Sequence, residues 1–556
     1  MNAATLCLIV LTIFFLGYRF YSRFLSKRIF DLNDTLDTPA HLLKDDNDFV
    51  PTEKSVLWGH HFSSIAGAAP IVGPAVAVIW GWLPAIIWIA LGSVFMGAAH
   101  DFGALVLSMR SRGSSIATVA GELLNPRVRN LLLVVVLFLV WMVLAVFALV
   151  IANLFVSFPS SVLPINFEII VALLIGYFAH RKGKNILWFA IGAQIILFVM
   201  IYLGTLYPIK LDFLTSNPLM LWIVLLLLYS YVASVLPVWA LLQPRDYINS
   251  HQLLIGLLAL VLGVFITRPE VVAPVFVANP EGAPPWFPFL FITIACGAIS
   301  GFHGLVSGGT TSKQVNRWSD ARPIGYGAML GEATLALIAT LAVTAGFANF
   351  EEWHQHYGSW SSAQGLSSSI DAFVLGSSHF LAGLGISEAF ANTMMSVLII
   401  SFAATSLDTA ARIQRYVISE MGEAFQIPIL KKPNFSAALA IGTAFFLMLI
   451  EDGGKGGLLI WPLFGATNQM LAALTLILIC VFLIKRNKPV RYFLAPLLFI
   501  LVVTAIGLIF NIKSFIGSGN YLLASLAGLL LILEVWICLE ALPVFKNYIQ
   551  RPAPEG

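Results

Sequence analysis

The chain has 556 residues, 59% of them hydrophobic and 11% charged, with a net charge of +3 and a mean hydropathy of +0.89. A water-soluble domain carries about 25% charged residues, so this composition excludes one and points to a polytopic membrane protein. The small net charge gives no sign of nucleic-acid binding. The four cysteines, Cys7, Cys296, Cys480 and Cys538, sit in apolar runs without a CxxC pair, which argues against disulfides and a zinc finger.

A bilayer-spanning helix needs about 20 mostly apolar residues. Such runs fall near 4–20, 60–80, 82–108, 130–157, 165–180, 185–207, 218–242, 250–267, 287–310, 324–348, 387–410, 435–450, 457–484, 492–511 and 519–541. The prediction is therefore an all-α polytopic membrane protein with about 15 transmembrane helices. The first run lacks a basic leader and a small-residue cleavage site, so it reads as a retained helix. The polar stretch over 25–55 reads as a linker on the inner face.

Orientation follows from Lys and Arg in the connecting loops. With the N-terminus outside, the inner loops are 19–59, 109–129, 181–184, 243–249, 311–323, 411–434, 485–491 and 542–556. They hold 27 of the 31 basic residues. The outer loops hold only Lys210, Arg268, Lys455 and Lys513. The outer loop 349–386 has no Lys or Arg. It is either a short hairpin folded back into an outer vestibule or a plain surface loop.

Two runs break the helical rule. GHHFSSIAGAAPIVGP, residues 59–74, puts His60, His61, Gly67, Pro70, Gly73 and Pro74 where a spanning helix begins. CGAISGFHGLVSGGTTSK, residues 296–313, does the same with Gly297, Gly301, Gly304, Gly308, Gly309 and His303. Glycine lowers helix preference by about 1 kcal/mol and proline by about 3. Non-helical backbone at membrane depth survives only when buried in protein or lining a watered cavity. By the inferred topology the two breaks run in opposite directions. That is the mark of an inverted repeat, in which half-helix N-termini face an anionic substrate and unwound carbonyls hold a coupling cation. The competing explanation is close helix packing through small residues.

Ionisable groups at this depth are costly and candidates for function. His60, His61 and His303 are assigned to substrate binding together with Gly67, Ala68, Gly73, Gly301 and Gly304. His100, Asp101 and Glu332 are candidates for proton coupling. SFAATSLDTAARIQRY adds Ser401, Thr405 and Ser406. With the carbonyl of Ala66, these could make an all-oxygen Na⁺ site, unless the hydroxyls bond back to their own helix. Asp408 and Arg412 are spaced i,i+4 and are expected to pair as a gate near the inner face. Asn468 and Gln469 read as helix–helix glue or cavity lining.

At these residues the chain resembles the carbon starvation protein A (CstA) family of bacterial membrane transporters. The resemblance is carried by GHHFSSIAGAAPIVGP, ACGAISGFHGLVSGGTTSK, SFAATSLDTAARIQRY and WPLFGATNQMLAALTL. It implies uptake of peptides or pyruvate, membership of the amino acid–polyamine–organocation (APC) superfamily, and a LeuT-like core of two inverted five-helix repeats with broken first helices. On that frame 1–55 is an N-terminal helix and linker, 56–207 repeat one, 208–286 inserted helices, 287–484 repeat two, and 485–556 peripheral helices.

The expected function is a secondary active importer in the bacterial inner membrane, with the N-terminus outside and the C-terminus inside. It would take small carboxylates such as pyruvate, or short peptides, coupled to H⁺ or Na⁺ by alternating access. Its expected partners are the small-molecule substrate and the lipid bilayer, with no nucleic acid and no enzymatic reaction. The alternative is a membrane protein binding a metal or haem through His60, His61, His100 and His303.

Overall fold

The computed structural model describes residues 1–178 and 186–549. The predicted inner loop at 181–184 lies outside the described residues. Among the described residues there is no β-strand, only isolated bridges joining Asn2 to Glu270 and Thr52 to Val315.

Twelve described helices are long and apolar enough to cross a membrane, and one further span is a bent pair. The bent pair is α1, Lys54–Ile65, and α2, Ala69–Trp80, meeting at 45°. The spans that contribute residues to the buried polar contacts follow in chain order: α3, Trp82–Arg110; α4, Pro126–Ser157; α5, Pro159–Gly176; α6, Pro218–Val235; and α7, Leu242–Thr267. The short helix α8, Gly301–Gly309, precedes α9, Trp318–Ala345, and α10, Glu388–Ala424. The last is α11, Phe464–Lys485. A shorter apolar helix, Pro433–Met448, sits between α10 and α11.

Burial sorts centre from rim. The most apolar windows of α9, α10 and the Gly456–Lys485 span are 89%, 89% and 94% buried, whereas those of Ala3–Ile29, Leu187–Leu206 and Tyr521–Tyr548 are only 33–39% buried. The rim helices present Leu, Ile, Phe and Trp outward, as a lipid-facing surface requires.

Both predicted breaks are real. Ala66 leaves helical geometry at φ −76°, ψ 59°, and α2 restarts with Pro70 in its first turn, where a missing N–H costs nothing. The second break separates Ala295–Ala298 from α8 by two extended residues, Ile299 and Ser300. The two broken segments cross where Gly73 lies against the backbone of Thr293.

One prediction needs correction. Residues 243–249 are not a loop. They form the first two turns of α7 and are buried, because Arg245 and Asp246 find ionisable partners inside the protein. Of the two readings left open for 349–386, the plain surface loop does not hold. The segment folds as Phe350–Tyr357, Trp360–Ala363 and Leu366–Ala382. The last of these helices packs on α9, with Gly376 against Ala342 and His379 bonded to the Gly346 carbonyl.

Candidate functional site

A small pocket lies between the two breaks. Ile65, Gly67, Ala69, Phe147, Phe302, His303, Ser406, Cys296 and Phe464 line it, and at about 10 Å³ it holds roughly one water. The N-terminal ends of α2 and α8 both reach it, through Ala69 and Phe302. Such ends carry partial positive charge.

The second break is held open by α11. Asn468 Oδ1 accepts from the Phe302 backbone N–H at 2.8 Å and from Ser300 Oγ at 3.2 Å, while its Nδ2 lies 3.2 Å from Cys296 Sγ. One side chain thus replaces hydrogen bonds that the break removes. Gln469 donates to the Phe291 carbonyl at 3.0 Å. Both are glue in a specific sense: they stabilise the interrupted backbone.

His303 joins this pocket to a buried chain of acids and imidazoles. Its Nδ1 donates to Asp101 Oδ2 at 2.8 Å, and its Nε2 lies 3.1 Å from Glu332 Oε2, an ion-pair distance off hydrogen-bond alignment. Asp101 Oδ1 accepts from His100 Nδ1 at 2.7 Å. All four side chains are buried. Three elements, α3, α8 and α9, therefore meet on one line of titratable groups, in which His303, between Asp101 and Glu332, is the member that lines the pocket. Gly304 leaves room for this line, since a carbon added there would sit 3.4 Å from the His100 ring.

The other predicted residues are dispersed. His60 and His61 point about 100° apart on α1. His60 donates to Asp246, and His61 bonds Thr311 Oγ1 at 2.8 Å. Neither lines the pocket, and neither do Ala66, Ala68, Gly301 or Gly304. Of the three hydroxyls on α10, only Ser406 faces the break, donating to the Ser64 carbonyl at 3.0 Å. Thr405 accepts from Asn249 on α7 at 2.9 Å, and Ser401 donates to Glu168 at 3.3 Å. Thr405 and Ser406, two of the proposed oxygen ligands, thus take different neighbours.

Asp408 and Arg412 do not pair with each other. Asp408 binds Arg245 and accepts from Tyr229 Oη at 2.8 Å. Arg412 donates to Asp48 at 2.7 Å and to the carbonyls of Ala233 and Leu236. The i,i+4 spacing offers a weak surface pair, whereas buried tertiary partners remove both charges from solvent.

Asp48 is the hub of a latch on the predicted inner side. It accepts from Tyr416 Oη at 2.6 Å as well as from Arg412, and lies 3.5 Å from Arg415. Lys313, just after α8, stacks on the Tyr416 ring at 3.8 Å. The latch ties the segment before α1 to α10. Burial pushes the Asp48 carboxyl up, but Arg412, Arg415 and Lys313 outweigh it and hold it below the usual carboxylate range. A lowered folded value means the stabilisation is present above the unfolded value of about 3.9 and lost only as pH falls through the lower one. The latch is thus expected to stay closed across pH 5–8, which protease accessibility of the 43–53 segment would check.

On the opposite side a cavity of about 700 Å³ opens beside α2, with Gly73, Val76, Trp360, Trp461 and Phe510 in its wall. Phe464, Ala69 and Cys296 line both this cavity and the small pocket. Phe464 stacks on Trp461 with ring centroids 4.4 Å apart and stands as a partition between the two spaces.

Two interrupted helices meeting at a closed pocket, open towards one side and latched on the other, define a membrane transporter. The chain belongs to the CstA family: the family model described as carbon starvation protein CstA matches residues 2–350 and 347–507. The peptide transporter CstA of Bacillus subtilis is 32% identical over 535 residues, covering 90% of this chain and 88% of the relative. The pyruvate/proton symporter BtsT of Escherichia coli is 31% identical over 576 residues, covering 89% and 80%. A solved manganese transporter from Eremococcus coleocola is 12% identical, covers 90% of this chain and 99% of its own, and has a TM-score of 0.47, too slight a likeness to carry an argument.

Proposed function

We propose that the chain is a secondary active importer of small carboxylates of the pyruvate type, driven by protons. The observation that carries this reading is His303, which touches the pocket between the breaks and is bonded onward to Asp101, with Glu332 beside it. A substrate anion faces the positive ends of α2 and α8. The proton that accompanies it enters the imidazole–carboxylate line, a geometry suited to proton transfer. The relative named as a pyruvate/proton symporter points the same way. Short peptides, the cargo in the other relative's name, need a far larger space than the closed pocket and would require it to expand. Sodium coupling is the weaker choice because the α10 hydroxyls face different neighbours.

On this reading 56–207 and 287–484 form inverted repeats of a LeuT-like core, with 208–286 inserted between them. The N-terminus faces outside and the C-terminus inside, across a bacterial inner membrane. The large cavity is then the outer vestibule and Asp48 belongs to the inner gate. The protein acts as a carrier and not as an enzyme. The metal or haem alternative gains nothing from the geometry. His60, His61, His100 and His303 take different hydrogen-bond partners, His100 and His303 alone sharing Asp101. Among the described residues no group of three or more His, Cys, Asp or Glu is placed to hold a metal ion.

Uptake by proteoliposomes tests the proposal, comparing pyruvate with di- and tripeptides under separate H⁺ and Na⁺ gradients. Movement of neither cargo under either gradient sinks it. A sharper expectation concerns Phe464→Ala, which removes the partition between vestibule and pocket. In a Cys296→Ser background, the thiol of Val143→Cys, which lines the small pocket and not the large cavity, should then react roughly tenfold faster with a membrane-impermeant thiol reagent added outside, as expected for a loosened gate. An unchanged rate would mean that another group closes the pocket.

A further inference from the structure

A second buried cluster of charges lies apart from the His303 line. Arg245 on α7 pairs with Asp408 on α10, and its Nε lies 3.6 Å from Glu168 Oε1 on α5. Tyr229 on α6 contacts both Arg245 and Asp408. The neighbouring Asp246 binds His60 on α1. All these acids, together with Arg245 and His60, are buried.

The charges do not balance. Among the described residues three carboxyls, Glu168, Asp246 and Asp408, face one permanent cation, Arg245. Even with His60 protonated the group carries one negative charge too many. An uncompensated buried charge is strongly unfavourable, and such groups take up a proton instead. Geometry says which carboxyl does so. Asp408 is held by Arg245 and Tyr229, and Asp246 by His60. Glu168 accepts one hydrogen bond, from Ser401 at 3.3 Å, and its Oε1 accepts none: it stays 3.6 Å from Arg245 Nε, which is also unbonded.

We infer that Glu168 is a second proton-binding site, occupied in the closed state shown here and separate from the Asp101–His303–Glu332 line. The carboxylate takes its proton from water on one face of the membrane and returns it on the other. No other bond changes. The cluster is placed to respond to transport because His60 belongs to α1, the half-helix that ends at the pocket, and Ser401 and Asp408 belong to α10, which carries Arg412 of the inner latch. The role in coupling rests on the importer reading above, but the presence of the bound proton does not.

Infrared difference spectroscopy of the purified full-length protein tests the inference without transport. In Na⁺-free buffer at neutral pH, the spectrum should contain a protonated-acid carbonyl component that is lost in Glu168→Gln, shifted in Glu168→Asp and retained in Glu332→Gln. In proteoliposomes with pyruvate as the probe, Glu168→Gln should lower the proton-to-pyruvate ratio by one while pyruvate exchange without a gradient persists. A spectrum unchanged in both Glu168 variants overturns the inference. So does loss of the component from the unmodified protein on adding Na⁺ at constant pH, because a metal cation would then balance the acids. Absence of pyruvate and peptide uptake would instead strike the importer reading and leave the spectroscopic result standing.

Discussion

Asp101→Asn is expected to reduce proton-driven uptake by a factor on the order of 100 or more. Asp101 receives an N–H from two imidazoles, His100 at 2.7 Å and His303 at 2.8 Å, each on its own carboxylate oxygen. Asparagine offers one acceptor and turns a donor towards the other ring. It also removes the negative charge that lets His303 hold a proton beside the pocket. Substrate exchange without a proton gradient should survive better than accumulation, since the pocket walls are unchanged. Equal loss of both in a well-folded variant would reassign Asp101 to architecture. His303→Gln is the companion measurement and should lower both, since His303 also lines the pocket.

Gly301→Ala should be strongly damaging to the fold around the second break. A carbon there would lie 2.6 Å from the backbone nitrogen of Ala472 and 2.6 Å from Leu471 Cβ. Backbone on a helix as buried as α11 cannot yield, and overpacking of this kind costs about 1–3 kcal/mol. Displacing α11 would also pull Asn468 from the Phe302 N–H. A lower melting temperature in detergent and lost uptake are expected together. Gly192→Ala is the control, since an added carbon there meets nothing within 4 Å, and it should leave both unchanged. Equal melting temperatures for the two variants would show that the contact is absorbed.

The breaks were legible because Gly and Pro inside apolar runs contradict the local helix preference. Asp101, His303 and Glu332 were legible because a charge at membrane depth stands out. Their mutual contacts were not, since residues 101, 303 and 332 share no local pattern and only the packing of α3, α8 and α9 brings them together. Arg245 and Asp246 were misread for a physical reason. QPRDYINS is polar enough to pass for a loop, and only partners on α5, α10 and α1 make its burial tolerable. Glu168 was missed although its signal was present: a lone carboxylate in NFEIIVALLIG is the pattern that marked Glu332. The Asp408–Arg412 expectation failed because spacing along one helix says nothing about stronger partners across it.

The lining of the wide cavity contains no Asp, Glu, Lys, Arg or His, and the segment 349–386, which lends it Trp360 and Gln364, has no Lys or Arg. An anion entering the cavity therefore meets no charged side chain in the wall, only the N-terminal end of α2 at Ala69. Its encounter rate belongs to the unsteered range, without the 10- to 1,000-fold gain that charged funnels give, and changes in ionic strength have little to screen. Selection at this mouth rests on hydration: a solute advances past Trp360, Trp461 and Phe464 only as far as it can shed water.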